Sequence, residues 1–178
     1  MYFTGPVIQT PTPTPTSTPT LTVTSTPVPE NFLQIQGFQN GGNIPTKYTC
    51  NGRDVSPPIS WGLPPAGTIS IALIMDDPDA GDFTHWVLYN LPASVRSLPE
   101  GVQNIERPAS GGIQGTNDFG GIGYGGPCPP PGGPHTYRLI FYALDAQLNP
   151  GTATSQGVLN AMQGHVLAQA ELDGEYGT

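Results

Sequence analysis

Two histidines, an aspartate and a tyrosine carry most of the chemistry this chain can offer. His135 and Tyr137 open the run HTYRLIFYAL, rich in β-branched and aromatic residues, and their spacing puts an imidazole and a phenol on one face of a strand. The run follows GIGYGGPCPPPGGP. In that loop Gly125 and Gly126 are expected to take positive φ and converge their N–H groups on an anion, while the prolines stiffen the chain. His85 begins a second strand-like run, and Asp77 ends an earlier one within Asp76-Asp77-Pro78-Asp79. Imidazoles titrate near neutrality and donate to anions, and a carboxylate beside one orients its ring and favours its charged form. The implied chemistry is capture of a small anion, with affinity falling between about pH 6 and 8 as the histidines lose their protons. Asp76, Asp79 and Asp82 oppose capture electrostatically, so the affinity is expected to be modest and to rest on backbone N–H groups.

The same side chains admit other chemistries. Two histidines and a carboxylate make up the triad of non-haem iron sites, but nothing in the spacing supplies the outer groups that orient such ligands. Asp77, His85 and His135 could also act as acid, base and orienter in a small hydrolase, although no GxSxG elbow accompanies them. Cys128 is a poor nucleophile, because prolines flank it and nothing nearby activates the thiol. No catalytic residue, metal or cofactor is assigned.

Strands must position these groups. Ile69 to Met75 is the most apolar run, and its length and β-branching favour a central strand. Thr84 to Leu91 resumes as a strand whose alternation puts His85, Val87 and Tyr89 on one face and Trp86 and Leu88 on the other. Pairing the two as an antiparallel hairpin brings Asp77 near His85 whatever the register. Phe32, Ile35 and Phe38 start the core, Lys47 to Cys50 reads as a short strand ended by Asn51-Gly52, and Ile59 to Trp61 leads on from a proline pair. Pro92 to Ala109 and Ser110 to Gly126 read as surface excursions. Thr154 or Ser155 is expected to cap a helix burying Val158, Leu159, Met162 and Val166. Ala168 to Leu172 reads as a last short strand and Gly174 to Thr178 as a frayed end. Trp61, Trp86, Phe141 and Tyr142 are assigned to the core, and His165 to a structural role.

Residues 31–178 are long enough for one domain with a real core. Residues 1–30 are rich in Thr and Pro, too poor in apolar groups to pack, and suited to a stalk outside the cell. An extracellular or periplasmic location is the expectation, with the cytoplasm left open. Cys50 and Cys128 are the only cysteines, and export would favour their pairing. Thirteen acidic residues against five basic ones, net charge −8, work against nucleic acid as a partner. No apolar run approaches the eighteen residues or so that a membrane span needs.

Three separated pieces carry a resemblance: Asp76-Asp77-Pro78-Asp79-Ala80, then His85-Trp86-Val87, then Tyr124-Gly125-Gly126-Pro127 with His135-Thr136-Tyr137. From about Phe32 onward the chain resembles the phosphatidylethanolamine-binding proteins, in the bacterial and archaeal branch described as Raf-kinase-inhibitor-like. The resemblance implies a mainly β fold of two packed antiparallel sheets, with one or two short helices near the C-terminus and a small anion pocket at one end. It carries Asp77, His85, Gly126, Pro127, His135 and Tyr137 onto pocket positions, with Asp79, Tyr124 and Gly125 at the rim. It also implies a regulatory binding protein without catalytic activity. The expected partners are a small anion (phosphate, carboxylate or phospholipid head group) and a protease or kinase that the rim inhibits. One departure concerns that rim, where Gly81-Asp82-Phe83 stands in place of a further proline.

Overall fold

The structure is a computed structural model that describes residues 27–177 except Glu30, so the expectation of a Thr/Pro stalk falls almost wholly outside the described residues. In chain order the elements are β1 (Leu33–Ile35), β2 (Gly42–Asn43), β3 (Ile59–Trp61), β4 (Ser70–Asp77), β5 (Phe83–Pro92), β6 (Ser97–Leu98), β7 (Ile113–Gln114), β8 (His135–Leu144), α1 (Ser155–Ala161) and β9 (Val166–Tyr176). They form a mainly β fold of two sheets, one of three strands in the order β1-β3-β6 and one of six in the order β2-β9-β8-β4-β5-β7.

Every residue of β4 is buried, because the strand is flanked by β5 and β8 and covered on both faces. One face of the large sheet sends Ile71, Leu73, Met75, Leu139 and Phe141 against Leu33 and Trp61 of the small sheet and Phe32 just before it. Phe141 centres this layer, with the rings of Phe32 and Trp61 at 5.1 and 5.5 Å. The opposite face sends Ala72, Ile74, Val87, Tyr89, Ile140 and Tyr142 against Leu148, Val158 and Met162. Thr154 caps α1 by accepting the Gly157 N–H at 3.2 Å.

The β4–β5 hairpin is antiparallel, as expected, but its alternation is broken twice. Met75 pairs with Trp86 and Asp76 with Thr84, which leaves His85 as an extra residue in β5. The bulge turns His85 to the same side as Trp86, toward Tyr137, and away from Val87 and Tyr89. A second bulge lies between the Ile71–Leu91 and Leu73–Leu88 pairs. There Asn90 takes φ of 57° and its side-chain amide exchanges two hydrogen bonds with the Leu148 backbone.

Three other expectations are corrected. Lys47 to Cys50 is no strand: Pro45 opens a 3-10 turn over Thr46–Tyr48, closed by Tyr48 N–H to Pro45 and Thr49 N–H to Thr46. Val166 belongs to β9 and not to the helix stripe. The last strand continues through Gly174 to Tyr176, because β8 presents a full row of backbone groups that β9 pairs from Leu144–Val166 to His135–Tyr176.

Candidate functional site

The C-terminal end of β4 and the starts of β5 and β8 meet at one end of the large sheet. The β4–β5 connection is a 3-10 turn over Pro78–Ala80 that Asp77 caps, its Oδ1 accepting the Ala80 N–H at 3.0 Å. Gly81 ends the turn with φ of 72°, a conformation open to glycine at no steric cost. Asp77 Oδ2 is thereby held against His135, accepting from Nδ1 at 2.7 Å. The Asp77 side chain is only 4% exposed and that of His135 20%, so the pair sits at the floor of the end wall and not on open surface.

His85 is buried, and its Nδ1 lies 2.7 Å from the Gly125 carbonyl. A carbonyl only accepts, so Nδ1 carries the hydrogen. Burial pushes the His85 pKa below its ordinary value, partly offset by the Gly125 carbonyl and the field of Asp77. The Tyr137 ring lies 5.1 Å from that of His85 and stacks at 6.5 Å on that of His135. Its hydroxyl is buried and makes no hydrogen bond of normal geometry among the described residues, although the Asp77 carboxylate and the Cys128 backbone lie close to it. Burial first, then the Asp77 carboxylate, push its pKa up and keep it a phenol. Asp77, His85, His135 and Tyr137 are thus in one neighbourhood: the hairpin argument accounts for the first two, and the last two open β8 beside them.

The loop before β8 works differently from the expected anion nest. Neither Gly125 nor Gly126 has positive φ. The Gly125 N–H donates to the His85 carbonyl at 2.9 Å and that of Gly126 to Asp54 Oδ1 at 2.7 Å, so both donors are spent inside the protein. Glycine is required here by close approach: a Cβ on Gly126 would lie 2.3 Å from the Tyr48 carbonyl oxygen, and one on Gly125 2.6 Å from the Phe119 ring. Pro127 accepts the Cys50 N–H at 3.1 Å, and Cys50 and Cys128 are joined in a disulfide that pins the loop to the turn after Tyr48. Closing a loop across the 78-residue separation of these cysteines constrains the unfolded chain by about 4–5 kcal/mol in the chain-entropy account.

Two rim residues are structural. Tyr124 is buried, donates to the Tyr48 carbonyl at 2.7 Å and packs edge-on against Trp86. Asp79 accepts the Thr136 N–H at 2.7 Å and so ties the β4–β5 turn to β8. Sequence reasoning put Phe83 on the rim but missed Phe119; the two rings flank His85 at 5.4 and 5.3 Å. It also missed Asp118, which accepts the Thr84 N–H at 2.7 Å. The turn signal Asn117-Asp118-Phe119-Gly120, with one large apolar residue in a polar loop, was the available clue. Phe119 is 53% exposed at the mouth of the site.

Two grooves lie elsewhere. A groove of about 700 Å³ runs between β1 and β9 beside Phe32, Phe38 and Glu171, and one of about 510 Å³ lies by Asp76, Arg138 and Tyr142. Neither brings together an unpartnered buried donor with open ring nitrogens, so chemistry and not volume singles out the histidine end. Among the described residues no His, Cys, Asp and Glu side chains form a metal-ligand cluster, and no helix is long and apolar enough to cross a membrane.

Residues 34–177 match the family model described as phosphatidylethanolamine-binding protein. A UPF0098 protein of Methanothermobacter thermautotrophicus is 47% identical over 148 residues, covering 81% of this chain and 97% of that one. One from Aquifex aeolicus is 49% identical over 147 residues, covering 79% and 85%. Among solved structures, the phosphatidylethanolamine-binding protein homologue CT736 of Chlamydia trachomatis superposes with a TM-score of 0.73 at 40% identity, over 82% of this chain and 96% of that one. Escherichia coli YbcL, described as a member of the mammalian family of these proteins, gives 0.74 at 31% identity over 82% and 97%. The chain therefore belongs to the phosphatidylethanolamine-binding protein family, in its bacterial and archaeal branch.

Proposed function

We propose that the protein is a non-enzymatic binding module that holds a small phosphate-bearing anion between His85, His135 and Tyr137 and acts by presenting or sequestering it. One observation carries this reading: a buried phenol hydroxyl with no hydrogen bond of normal geometry among the described residues stands beside two imidazoles whose Nδ1 atoms are already anchored by Gly125 and Asp77. A buried donor left unpaired costs about 1–3 kcal/mol, and an anion oxygen would recover that. No nucleophile is assigned, since Cys128 is tied in the disulfide and Asp77 is engaged with His135 and the Ala80 N–H. Calorimetric titration with phosphoethanolamine tests it. Wild type is expected to bind, and Asp77→Asn, which disorients His135, about tenfold more weakly. Equal affinities would remove Asp77 and His135 from the site.

A second reading is inhibition of a protease or kinase that covers the rim. It draws on the exposed Phe119, which follows Asp118 in the chain and lies 4.8 Å from the ring of Phe83, itself next to Asp82. A stoichiometric excess of the purified protein leaving a panel of serine and cysteine proteases and kinases fully active would dismiss it. The Cys50–Cys128 disulfide supports work in an oxidising compartment, extracellular or periplasmic. Alkylation of protein taken from its native compartment is expected to find no free thiol, and two free thiols would contradict the assignment.

A further inference from the structure

Two strand edges are left open on one side of the molecule. β1 is an outer strand of the small sheet. The Phe32 carbonyl accepts the Gly62 N–H and the Gln36 N–H donates to Pro58, so even-numbered residues face β3 and the backbone groups of Leu33 and Ile35 face out. β2 covers β9 only at Gly174 and Glu175, and Asp173 beside them bonds to Gly41 and Asn40. Two and four residues further back, Glu171 and Gln169 face out in the same way. Among the described residues nothing bonds to the outward backbone groups of Leu33, Ile35, Gln169 or Glu171. β1 and β9 line the groove of about 700 Å³, with Phe32, Phe38 and Leu172 in its apolar wall. An open strand edge with apolar pockets is a template for one more strand.

The chain itself enters this groove. Val28 and Pro29 line it, and Val28 packs on the core. The Phe32 N–H donates to the Pro29 carbonyl at 3.1 Å and Asn31 takes φ of 63°, a tight turn that brings the residues before β1 back to the groove wall. Just upstream stands Thr20-Leu21-Thr22-Val23-Thr24-Ser25-Thr26, the longest proline-free stretch of the Thr/Pro tract. It is uncharged, β-branched at most positions, and alternates Leu21 and Val23 with threonines, the pattern of a half-buried strand. From this placement we infer that Thr20 to Thr26 docks in the groove between β1 and β9 as an added strand. Its amides and carbonyls pair with those the two edges leave open, and Leu21 and Val23 turn onto Phe32 and Phe38. A strand of that length spans about 23 Å, the reach of β9 from Val166 to Leu172. Pro19 and Pro27, which donate nothing to a ladder, set its ends. Docking also shields edges that would otherwise template a second molecule. Residues 1–33 precede the stretch matched by the family model, so the device belongs to this chain and not to the shared fold.

The test is amide hydrogen exchange, read by NMR, on the full chain and on a full-length variant carrying Thr22→Pro and Val23→Pro. Adjacent prolines remove one donor from each row of the segment and bar it from a ladder while leaving the domain's own residues untouched. With the groove filled about nine-tenths of the time, the amides of Leu33, Ile35, Gln169 and Glu171 should exchange about tenfold more slowly in the wild type than in the variant. The amides of Ala170 and Leu172, which face β8, are the control and should exchange alike in both. Contacts of the Leu21 and Val23 methyls with the Phe38 ring should appear in wild-type nuclear Overhauser spectra. One exchange rate at the four outward amides in both proteins would overturn the inference. Equal losses at Ala170 and Leu172 would overturn it too, because the prolines would then be acting on the whole domain. So would protection that grows with protein concentration alongside a doubled mass in light scattering, since the occupant would then be a second copy.

Discussion

Asp76 and Asp77 are neighbours on β4 and face opposite sides of the sheet, and they serve opposite ends. Asp76 is closed: both its oxygens accept from Arg138, from Nε at 3.0 Å and Nη2 at 2.9 Å, a two-pronged pairing that holds the guanidinium pKa well above its ordinary value. Asp77 is closed by the Ala80 N–H and His135, yet the groups around it are not, since among the described residues the Tyr137 hydroxyl has no hydrogen bond of normal geometry and each imidazole is anchored through Nδ1 alone. A charged cluster whose hydrogen bonds are complete holds strands together. One whose hydrogen bonds stop short is a place for something else. That difference, and not the amount of charge, separates the two faces.

The largest perturbation tests what holds the open face in shape. Reducing the Cys50–Cys128 disulfide is expected to lower stability by up to about 4–5 kcal/mol and to weaken anion binding, because the Gly125 carbonyl that fixes His85 rides on the same loop. Unchanged affinity in the reduced protein would show that β5 alone orients His85. Asp76→Ala comes next, at about 2–3 kcal/mol by denaturant melt, toward the low end for a broken ion pair because Arg138 is 30% exposed. Its anion affinity should not move; a loss would mean the two faces are coupled. Tyr137→Phe should do the reverse, leaving stability level or slightly raised while anion affinity drops by about 1.5–3 kcal/mol, the worth of a hydrogen bond to a charged group. The smallest effect is a pH slope. His85 has a lowered pKa when folded, so below its ordinary unfolded value of about 6.5 the unfolded chain binds more protons and stability falls as pH drops. His85→Gln should flatten that slope, as read by thermal midpoints.

The elements were legible where burial alone decides. The unbroken apolar run of β4 and the turn residues after Asp77 were enough to place the hairpin and so to bring Asp77 toward His85, while His135 was added to them by the family resemblance alone. The face of His85 was not legible, because a bulge adds one residue and a period of two has no way to register it. Gly125 and Gly126 were read as flexible donors, whereas their role comes from Tyr48 and Phe119 pressing against them, a tertiary contact with no local signal. Gly174 misled in the same way. It marks the packing of Phe38, whose ring would lie 2.5 Å from a Cβ there, and not the end of a strand. Local composition could not show that β8 needs a partner along its whole length.

The most direct measurement follows the imidazole C–H resonances of all three histidines by NMR while phosphoethanolamine is added. His165, paired with Asp145 at 2.8 Å on exposed surface, serves as an internal reference for general charge effects. The account predicts saturable shifts at His85 and His135 that share one dissociation constant, with His165 unmoved. Equal drift of all three, or a saturable shift at His165 alone, would contradict a phosphate site at the end of β4, β5 and β8.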